Sequence, residues 1–500
     1  MTKSHFIIPK EVSKVTEALE TAGFEAYLIG GCVRDLFIGK NPKDWDVTTN
    51  AKPEEIVSLF PDTFYENNFG TVGVVAKEED GGEVDPSLKV IEVTPYRLES
   101  EYSDGRRPDK VHFSDKLEDD LKRRDFTINA IALRIKDAKG NYSDEVVDLF
   151  EGKKDLQKGI IRTVGVPHER FIEDGLRILR AVRLATELEF TIEPETEKAI
   201  VAHAHLLKNI SAERIRDEFS KIISSPRPMW GIELCRKLQL LSHIIPELEE
   251  GIGATQRGEH IYDVYEHSLR TLEHANKKNY SFDIKLAALL HDIGKPPTRR
   301  LDKVKNIYTF YGHDVVGARI AKKILERLKF PGKTIETVEK LVRWHMFFSD
   351  TEQITLSAVR RMIRNVGPEH IWDLMNVRIC DRIGTGRPKE SPYRLRKYRA
   401  MLEEAMRDPV SVSQLKIDGG GLKKLGIEPG PAMGFILHAL LEEVLDDPSK
   451  NNEKHLEEKA VELSKLPFAE LKKIGVDAKQ KKDNVDEEEV KKLREKHNVK

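Results

Sequence analysis

Two aspartates, Asp44 and Asp46, lie one residue apart in the segment KDWDVTTN, on either side of Trp45. If this segment is a β-strand, both carboxylates project from one face and the tryptophan from the other, because strand side chains alternate. Two carboxylates at that spacing repel each other unless a cation lies between them. The pair therefore predicts a Mg²⁺ site, since one or two carboxylates together with substrate phosphates commonly hold this ion. A solvated surface pair is the competing interpretation.

A third carboxylate and a glycine pair strengthen the first interpretation. Glu92, in the β-branched segment VIEVTPYR, is the best-placed acid to complete a two-metal site. In such a site one ion activates an attacking hydroxyl and the other stabilises a leaving pyrophosphate. Gly30 and Gly31 follow the apolar segment AYLI and precede a predicted helix, where free backbone N–H groups can bind a triphosphate. The combination indicates nucleotidyl transfer.

Asp174 and Arg177, in the segment EDGLRILR, are three residues apart and are predicted to share a helix face. Ionised aspartate only accepts hydrogen bonds and arginine only donates them. Cytosine and adenine each present an exocyclic amine beside an acceptor ring nitrogen, whereas uracil and guanine present the reverse. The pair thus favours C and A; a surface ion pair is the alternative. Gly175 is a weaker helix former than this position suggests.

Six side chains that commonly bind metals occur in order through the second half of the chain. They are His267, His291, Asp292, His313, His345 and Asp381. Imidazole and carboxylate ligands suit Mn, Fe, Ni or Zn, and water bound to such an ion becomes a nucleophile near neutral pH. We expect the first three and Asp381 to hold one ion, and His313 and His345 to serve a second. A single histidine is more often structural, as expected for His260 and His274.

Composition sets the class of protein. The chain has 500 residues, 39% hydrophobic and 34% charged, with a net charge of −2. This length predicts several domains. We expect a cytoplasmic protein without membrane segments or a signal peptide, because no apolar stretch approaches a membrane span and the three cysteines are far apart. Overall neutrality leaves room for an RNA partner, since basic residues cluster locally in DGRRPDK and LKRRDF.

The pattern along the chain changes from mixed α/β to helical. Gly23 is predicted to end the first helix, Ser211 to begin a later one, and the prolines at 226 and 228 to separate two helices. The predicted domains are a mixed α/β head (1–148), a helical neck (149–245), a histidine-containing domain (246–390), a helical tail (391–475) and a charged C-terminus (476–500).

Several motifs together identify a family. The segments GGCVRD, DWDV, RRDFTINAIA, DLFEGKKDLQKGIIRTVG, RFIEDGLRILRA and SAERIRDEF occur in this order over roughly 24–240. As a set they resemble class II tRNA nucleotidyltransferases and poly(A) polymerases, and the histidine series resembles the HD-domain metal phosphohydrolases. The resemblance implies a multi-domain fold, in which an α/β polymerase-β-like nucleotidyltransferase head precedes all-α neck, HD and tail domains. It also implies that Asp44 and Asp46 are metal ligands and Glu92 the third acid.

The resemblance further implies template-independent addition of C, C and A to tRNA from CTP and ATP, with two Mg²⁺ ions. The implied nucleotide-binding residues are Gly30, Gly31, Arg34, Arg123, Arg124, Asp125, Asn129, Asp174, Arg177 and Arg180. The expected partner is tRNA, bound at its 3′ acceptor end and, through the tail segment LKIDGGGLKKLGIEPGP, at its elbow; no DNA partner is expected. The HD domain is expected to act on 2′,3′-cyclic phosphates or phosphomonoesters.

The segment YRLESEYSDGRRPDKVHF resembles the flexible loop that complete CCA-adding enzymes need for the change from C to A. Its polar residues include Asp104, Arg106 and Arg107. Its presence favours addition of the whole CCA sequence. Three alternatives stay open: a poly(A) polymerase, an A-adding enzyme, and a metal-dependent HD phosphohydrolase that uses its head only to bind RNA.

Overall fold

The chain folds into two units, residues 1–244 and 245–500. The computed structural model describes residues 6–66, 70–76, 85–100, 110–135, 142–256, 261–304, 306–347 and 354–480. In these ranges no helix is both long and apolar enough to cross a membrane.

The first unit is built on a mixed sheet. The strands described in it are β1 (Ala26–Ile29), β2 (Asp46–Thr49), β3 (Thr63–Tyr65), β4 (Val72–Val75), β5 (Val90–Pro95), β6 (Arg97–Ser100), β7 (Lys110–Phe113), β8 (Ala132–Ile135), β9 (Tyr142–Val147), β10 (Ile160–Ile161) and β11 (Thr191–Ile192). Among the described residues, seven strands form one sheet in the order β3-β4-β5-β2-β1-β8-β9. β2 and β5 pair in parallel at its centre.

Eleven α-helices are described in the first unit. They are α1 (Lys10–Thr21), α2 (Gly31–Phe37), α3 (Pro53–Leu59), α4 (Leu117–Lys122), α5 (Gly152–Lys158), α6 (Pro167–Glu173), α7 (Leu176–Leu188), α8 (Pro194–His203), α9 (Ala212–Ser224), α10 (Pro228–Lys237) and α11 (Leu241–Ile244). The predicted ends are confirmed: α1 stops just before Gly23, Ser211 is the N-cap of α9, and α10 begins at Pro228.

The sheet is stable because its central strands are apolar. All four residues of β1 are buried, and Tyr27 and Ile29 pack in one core cluster with Tyr96, Leu117 and Leu121. Since Leu117 and Leu121 belong to α4, this cluster fixes the helix that leads into the RRDFTINA segment against the strand that leads into Gly30. The core therefore sets the position of both segments.

The second unit is mainly helical. The described helices are α12 (Pro246–Glu249), α13 (Val264–Lys277), α14 (Phe282–Leu290), α15 (Lys295–Thr298), α16 (His313–Arg327), α17 (Gly332–Trp344), α18 (Leu356–Val366), α19 (Ile371–Gly384), α20 (Tyr393–Ala405), α21 (Gly419–Lys424), α22 (Pro431–Asp446), α23 (Glu453–Ser464) and α24 (Phe468–Gln480). α14 lies at the centre, and seven of its nine residues, from Ile284 to Leu290, are buried.

The predicted fold class, an α/β head followed by helical domains, is confirmed, with two additions. The short strands β10 and β11 pair in parallel in the segment predicted to be an all-α neck. In the second unit, β12 (Arg300–Asp302) and β13 (Ile307–Thr309) form an antiparallel hairpin. The hairpin lies directly before His313, so it borders the histidine cluster. Its second strand is rich in β-branched and aromatic residues, which favour strands.

Candidate active site and metal centre

Asp46 and Glu92 are direct neighbours on the two parallel strands at the centre of the sheet. Asp46 opens β2, and its register partner in β5 is Glu92. Asp44 is exposed and lies in a bend before β2, so the prediction that one strand carries both aspartates is wrong. Trp45 is buried, as expected.

The electrostatics of these acids favour a bound cation. Burial raises the pKa of Glu92 to about 7, and the nearby carboxylates of Asp46, Glu66 and Asp44 add to the effect. Burial also raises the pKa of Asp46, whereas the neighbouring Arg124 guanidinium opposes the rise. Only oxygen donors are contributed by the predicted ligands, which is the chemistry that Mg²⁺ prefers. The site therefore fits a divalent cation.

Gly30 provides the space beside this acid pair. It has a φ of +79°, a left-handed conformation that glycine adopts without steric cost. A Cβ atom here would lie 3.0 Å from Asp46 Oδ2 and 3.2 Å from Arg124 Nη1. Gly31 follows as the first residue of α2. A phosphate group could thus approach the backbone between the carboxylate and the guanidinium.

Asp120, on α4, holds two of the predicted nucleotide-binding arginines. Its Oδ1 accepts hydrogen bonds from Arg123 Nε at 2.9 Å and Nη2 at 2.5 Å. Its Oδ2 accepts from Arg124 Nη2 at 3.0 Å and Nε at 3.3 Å. The Asp120 side chain is fully buried. Sequence reasoning missed this residue, although its spacing of three and four from the arginines was a usable signal.

A second network joins four more predicted residues. Asp125 Oδ2 accepts from Arg180 Nε at 2.8 Å and Nη2 at 2.6 Å, and its Oδ1 accepts from Asn129 Nδ2 at 3.2 Å. Asn129 Oδ1 in turn accepts from Arg34 Nη1 at 3.0 Å. Burial would raise the pKa of Asp125, but the Arg180 charge holds it well below its usual range. The ionised carboxylate thus links α7 to the segment that follows α4.

Asp174 and Arg177 do not share a helix face, and that prediction is wrong. Asp174 lies between α6 and α7 in an extended conformation, with φ −145° and ψ 105°. Its Oδ1 accepts from the backbone N–H of Leu176 at 3.0 Å, a local bond that competes with continuation of a helix. A Cβ at Gly175 would lie 3.0 Å from Leu206 Cβ. The glycine therefore permits close packing at the break between the helices.

Each side chain of this pair has a different partner. Asp174 accepts two hydrogen bonds from Arg214, on α9, at 2.7 and 3.3 Å. Arg177 Nη1 donates to Glu173 Oε2 at 2.6 Å, and its Nη2 donates to the carbonyl of Arg123 at 2.9 Å. The pairing of Glu173 with Arg177 could have been predicted from the sequence, because the two residues are four apart. The pairing of Arg214 with Asp174 could not, because forty residues separate them.

The second unit brings all six predicted metal-binding residues together. His267 comes from α13, His291 and Asp292 follow α14, His313 opens α16, His345 follows α17 and Asp381 lies in α19. They form two buried groups of three, one of His267, His291 and Asp381 and the other of Asp292, His313 and His345. Five different helices therefore meet at one cluster.

Asp292 faces both groups. Its Oδ2 lies 3.2 Å from His267 Nε2 and 3.2 Å from His291 Nε2. Its Oδ1 lies 3.4 Å from His313 Nε2 and 3.6 Å from His345 Nε2. A carboxylate in this position could bridge two ions. Lys295 Nζ also contacts Asp292 Oδ2, at 2.6 Å.

Backbone carbonyls orient three of the imidazoles. Nδ1 of His291, His313 and His345 lies 2.9, 2.8 and 2.7 Å from the carbonyls of Ala288, Phe310 and Val342. Such bonds place the proton on Nδ1 and leave Nε2 as the ligand atom, the usual arrangement in protein metal sites. Within the described residues, Nε2 of His313 and of His345 is buried without a hydrogen bond. This donor set fits a transition metal.

The charges in the cluster agree with that fit. Burial would raise the pKa values of Asp292 and Asp381, but the neighbouring histidines and cations hold both well below the usual range. Burial would lower the pKa of His267, yet Asp292 and Asp381 raise it to about 9. Both carboxylates are therefore ionised and could bind a metal ion.

A cleft of about 940 Å³ opens beside the cluster. Asp292, Lys295, His313 and Asp381 contribute to its lining. The other walls carry arginines and tyrosines, among them Arg378, Arg382, Arg394, Tyr308, Tyr311 and Tyr393. The cluster is thus accessible to a ligand larger than a single phosphate.

The other predicted features are the flexible loop, two further histidines, the tail and the C-terminus. Asp104, Arg106 and Arg107 of the flexible loop lie outside the described residues, as do His260 and the end of the charged C-terminus, 481–500. His274 lies away from the metal cluster, with its Nε2 3.5 Å from Glu390 Oε1. In the tail, α22 begins at Pro431, and Lys423 and Lys424, the last two residues of α21, are exposed.

Three family descriptions match the chain in order. "Poly A polymerase head domain" matches residues 26–162, "Probable RNA and SrmB- binding site of polymerase A" matches 189–252, and "HD domain" matches 264–382. The head match contains the acid pair, and the HD match contains all six residues of the metal cluster.

Relatives and a solved structure agree over most of the length. A CCA-adding enzyme of Leuconostoc mesenteroides is 33% identical over 436 residues, 85% of this chain and 90% of that protein. An A-adding tRNA nucleotidyltransferase of Deinococcus radiodurans is 36% identical over 345 residues, 67% of this chain and 76% of that protein. The crystal structure of the Bacillus stearothermophilus CCA-adding enzyme in complex with CTP has a TM-score of 0.65 and 26% identity, covering 91% of this chain and 98% of that one.

Proposed function

Because the chain belongs to the family of CCA-adding enzymes, we propose that it adds C, C and A to the 3′ end of tRNA from CTP and ATP without a nucleic-acid template. The tRNA 3′-hydroxyl attacks the α-phosphate of the nucleotide, a new phosphodiester bond forms, and pyrophosphate leaves. The observation that carries this proposal is the register pairing of Asp46 with Glu92, beside Gly30 and Arg124.

Asp44, Asp46 and Glu92 would hold two Mg²⁺ ions. When bound, such ions activate the attacking hydroxyl and neutralise charge on the leaving pyrophosphate. Support comes from the oxygen-only donor set on adjoining strands and from the exposed position of Asp44, which is open to an ion carried in with the nucleotide.

The arginines of the RRDFTINA segment would bind the triphosphate. Asp120 fixes Arg123 and Arg124 from one side, and Nη1 of Arg124 lies within 3.2 Å of the space over Gly30. Guanidinium groups match phosphate oxygens in charge and geometry. The Arg34–Asn129–Asp125 network would continue this surface toward the ribose.

Asp174 and Arg177 would read the base edge. An aspartate oxygen has two lone pairs and an arginine five N–H donors, so both side chains can bind a base while keeping their present partners. Asp174 would accept from the exocyclic amine of C or A, and Arg177 would donate to the adjacent ring nitrogen. U and G would place acceptor against acceptor and donor against donor, which explains selection without a template.

Primer choice tests this proposal against its rivals. The purified protein is incubated with CTP and ATP and either tRNA lacking CCA or an oligo(A) primer. We expect extension of the tRNA and none of the oligo(A), whereas long tails on oligo(A) would indicate a poly(A) polymerase. A third possible result is suggested by the relative from Deinococcus, which is an A-adding enzyme. An A-adding enzyme would extend tRNA ending in CC with ATP and would not incorporate CTP.

The metal cluster supports a second activity, phosphohydrolysis at the HD domain. His267, His291, Asp292, His313, His345 and Asp381 would hold one or two ions such as Ni, Mn, Fe or Zn. When bound, these ions lower the pKa of water and supply a nucleophile. The observation that favours this activity is the position of Asp292 between the two groups of histidines, at the base of an accessible cleft. Candidate substrates are phosphomonoesters and 2′,3′-cyclic phosphates.

Separate inactivation of the two sites tests this assignment. The double variant Asp44→Ala/Asp46→Ala should lose CTP and ATP incorporation and retain phosphatase activity. The double variant His291→Ala/Asp292→Ala should do the reverse. Loss of both activities in either variant would contradict two independent sites.

Cellular location and tail function complete the proposal. A cytoplasmic location is supported by three cysteines that are all buried and free. The tail would bind the tRNA elbow, with Lys423 and Lys424 near its glycine turns as phosphate contacts.

A further inference from the structure

Three histidines of the first unit lie close together, and none of them belongs to either proposed active site. His168 is in the first turn of α6, His203 is the last residue of α8, and His205 lies two residues farther along. The ring centroids of His168 and His203 are 4.4 Å apart, and those of His203 and His205 are 6.1 Å apart. The three rings therefore connect α6 to the end of α8.

The contact between His168 and His203 aims two ring nitrogens at one point. His203 Nε2 lies 2.5 Å from His168 Nδ1, so one nitrogen donates its proton to the lone pair of the other. If that proton moves to the second nitrogen of its own ring, two lone pairs face each other and a metal ion can take its place. Neutral imidazole is the form that binds metals. Burial lowers the pKa of His203, and the neighbouring His168 and His205 add to the effect, which favours the neutral ring.

The spacing of the rings fits a shared ion. In the candidate metal cluster of the second unit, neighbouring imidazole centroids lie 5.0, 5.1 and 5.3 Å apart. The two spacings in the first unit fall on either side of these values. Two nitrogens bound to one Zn²⁺ at about 2.1 Å each lie roughly 3.4 Å apart, so the pair must open by about 1 Å. His168 and His205 are both exposed, and their rings have room for this movement.

The donor atoms select among metal ions. In the part of the chain that the structure describes, no carboxylate forms an ion pair with any of the three histidines. Imidazole nitrogens suit Zn²⁺, Cu²⁺ and Ni²⁺, whereas Mg²⁺ and Mn²⁺ prefer oxygen ligands. Three histidines with a fourth position open to water are a common Zn²⁺ arrangement.

We propose that His168, His203 and His205 bind one Zn²⁺ ion, which ties α6 to the end of α8. The α6 helix ends at Glu173, whose carboxylate accepts a hydrogen bond from Arg177. The ion would therefore hold in place the helix that leads into the base-reading pair. This site is independent of both proposed activities, and it stands or falls on metal binding alone.

Histidine modification locates the ion in the unaltered chain. Full-length protein is freed of metal with EDTA and treated at pH 7.5 with diethyl pyrocarbonate, alone, with Zn²⁺ or with Mg²⁺. Mass spectrometry then measures the modification of each histidine. Zn²⁺ should protect His168 and His205, and Mg²⁺ should not. His455, a histidine of the tail paired with Glu443, is the control and should react equally in all three samples. Equal modification of His168 and His205 with and without Zn²⁺ would overturn the proposal, as would protection of His455 at the same Zn²⁺ concentration.

Counting the bound ions separates this site from the histidine–aspartate cluster of the second unit. Calorimetric titration of the metal-free protein with Zn²⁺ gives the number of ions per chain. The double variant His168→Gln/His203→Gln should bind one ion fewer than the parent protein, and His455→Gln should bind the same number. An unchanged count in the double variant would contradict the site.

A single substitution tests the third ligand. His205→Gln should raise the Zn²⁺ concentration that half-protects His168 by about tenfold or more, since even the indirect partners of a metal contribute 10–100-fold to affinity. The same half-protecting concentration in His205→Gln and in the parent would show that His205 is not a ligand and would contradict the three-histidine site.

Discussion

Asp46 and Glu92 oppose each other in register on two parallel strands, forty-six residues apart in the chain. Burial and the Asp46 carboxylate raise the pKa of Glu92, and burial raises the pKa of Asp46. Asp44 lies in the bend just before β2. The protein keeps this repulsive arrangement at the centre of its seven-stranded sheet. A bound divalent cation would convert the repulsion into attraction, which explains why the acids are placed there.

Asp46→Asn should abolish nucleotide addition while leaving the HD site active. The amide keeps the shape of the side chain and removes the charge, so the loss should be at least about a hundredfold, since even indirect contacts to a metal are worth 10–100-fold. CTP and ATP incorporation into tRNA should fall together. Asp217→Asn, an exposed aspartate on α9, is the control and should retain activity. A selective loss of one nucleotide would contradict a shared metal site.

Asp174→Asn should relax the choice of base. The amide can donate as well as accept, so UTP and GTP should no longer be rejected. Discrimination should fall by about 1–3 kcal/mol, roughly ten- to a hundredfold in the ratio of kcat/KM for CTP over UTP. Arg214→Lys keeps the charge but loses the two-pronged contact with Asp174, and we expect a smaller change in the same ratio. An unchanged ratio in Asp174→Asn would rule out base reading by this residue.

Asp120→Asn should raise the KM for both nucleotides by roughly tenfold or more, because hydrogen bonds to charged groups contribute about 1.5–3 kcal/mol. The effect arises through Arg123 and Arg124, so kcat should change less than KM. Asp155→Asn is matched for burial and for an arginine partner, Arg162. Both variants should unfold at lower temperature, and only Asp120→Asn should raise KM. Equal KM values in the two variants would mean that Asp120 contributes to stability and does not position the arginines for nucleotide binding.

The stability of the first unit should fall at acidic pH because of His203. Its Nε2 lies 2.5 Å from Nδ1 of His168, and burial together with the His168 ring lowers the pKa of His203. A lowered pKa means that the unfolded chain binds this proton more readily than the folded chain. The contribution is therefore complete above the unfolded pKa, near 6.5, and is lost as the pH falls through it.

Thermal unfolding at pH 8 and pH 5.5 measures this dependence. His203→Gln should show a smaller difference in melting temperature between the two pH values than the parent protein. His455→Gln, a histidine of the tail paired with Glu443, is the control for removing any one imidazole. A pH difference in His203→Gln as large as that of the parent would contradict the assignment.

The sequence predicted contacts that depend on local spacing better than those that depend on packing. Glycines, β-branched runs and D-x-D placed Asp46 and Glu92 on strands, but the bend at Asp44 depends on where pairing with β5 begins. Spacing alone suggested one helix through Asp174 and Arg177. The close approach of Leu206 to Gly175, and the pairing of Asp174 with Arg214, join segments that no local pattern connects.

The histidine–aspartate cluster of the second unit also combines residues that the sequence predicts with contacts that only packing creates. Its six candidate ligands were predictable, because their residue types and order indicate metal chemistry. The position of Asp292 between both groups depends on how five helices pack. The arginines and tyrosines of the cleft come from the hairpin, α19, α20 and the residues that follow the hairpin and α19. Only the fold brings them to one surface.

The length and sequence of the product on tRNA test the central claim most directly. A tRNA lacking CCA is incubated with CTP alone, ATP alone, or both, and its 3′ end is sequenced. Two added residues are expected with CTP alone, none with ATP alone, and the three-residue end CCA with both. Asp46→Asn should give no product. Addition of A only to tRNA that already ends in CC, or of homopolymers of any length, would contradict a complete CCA-adding enzyme.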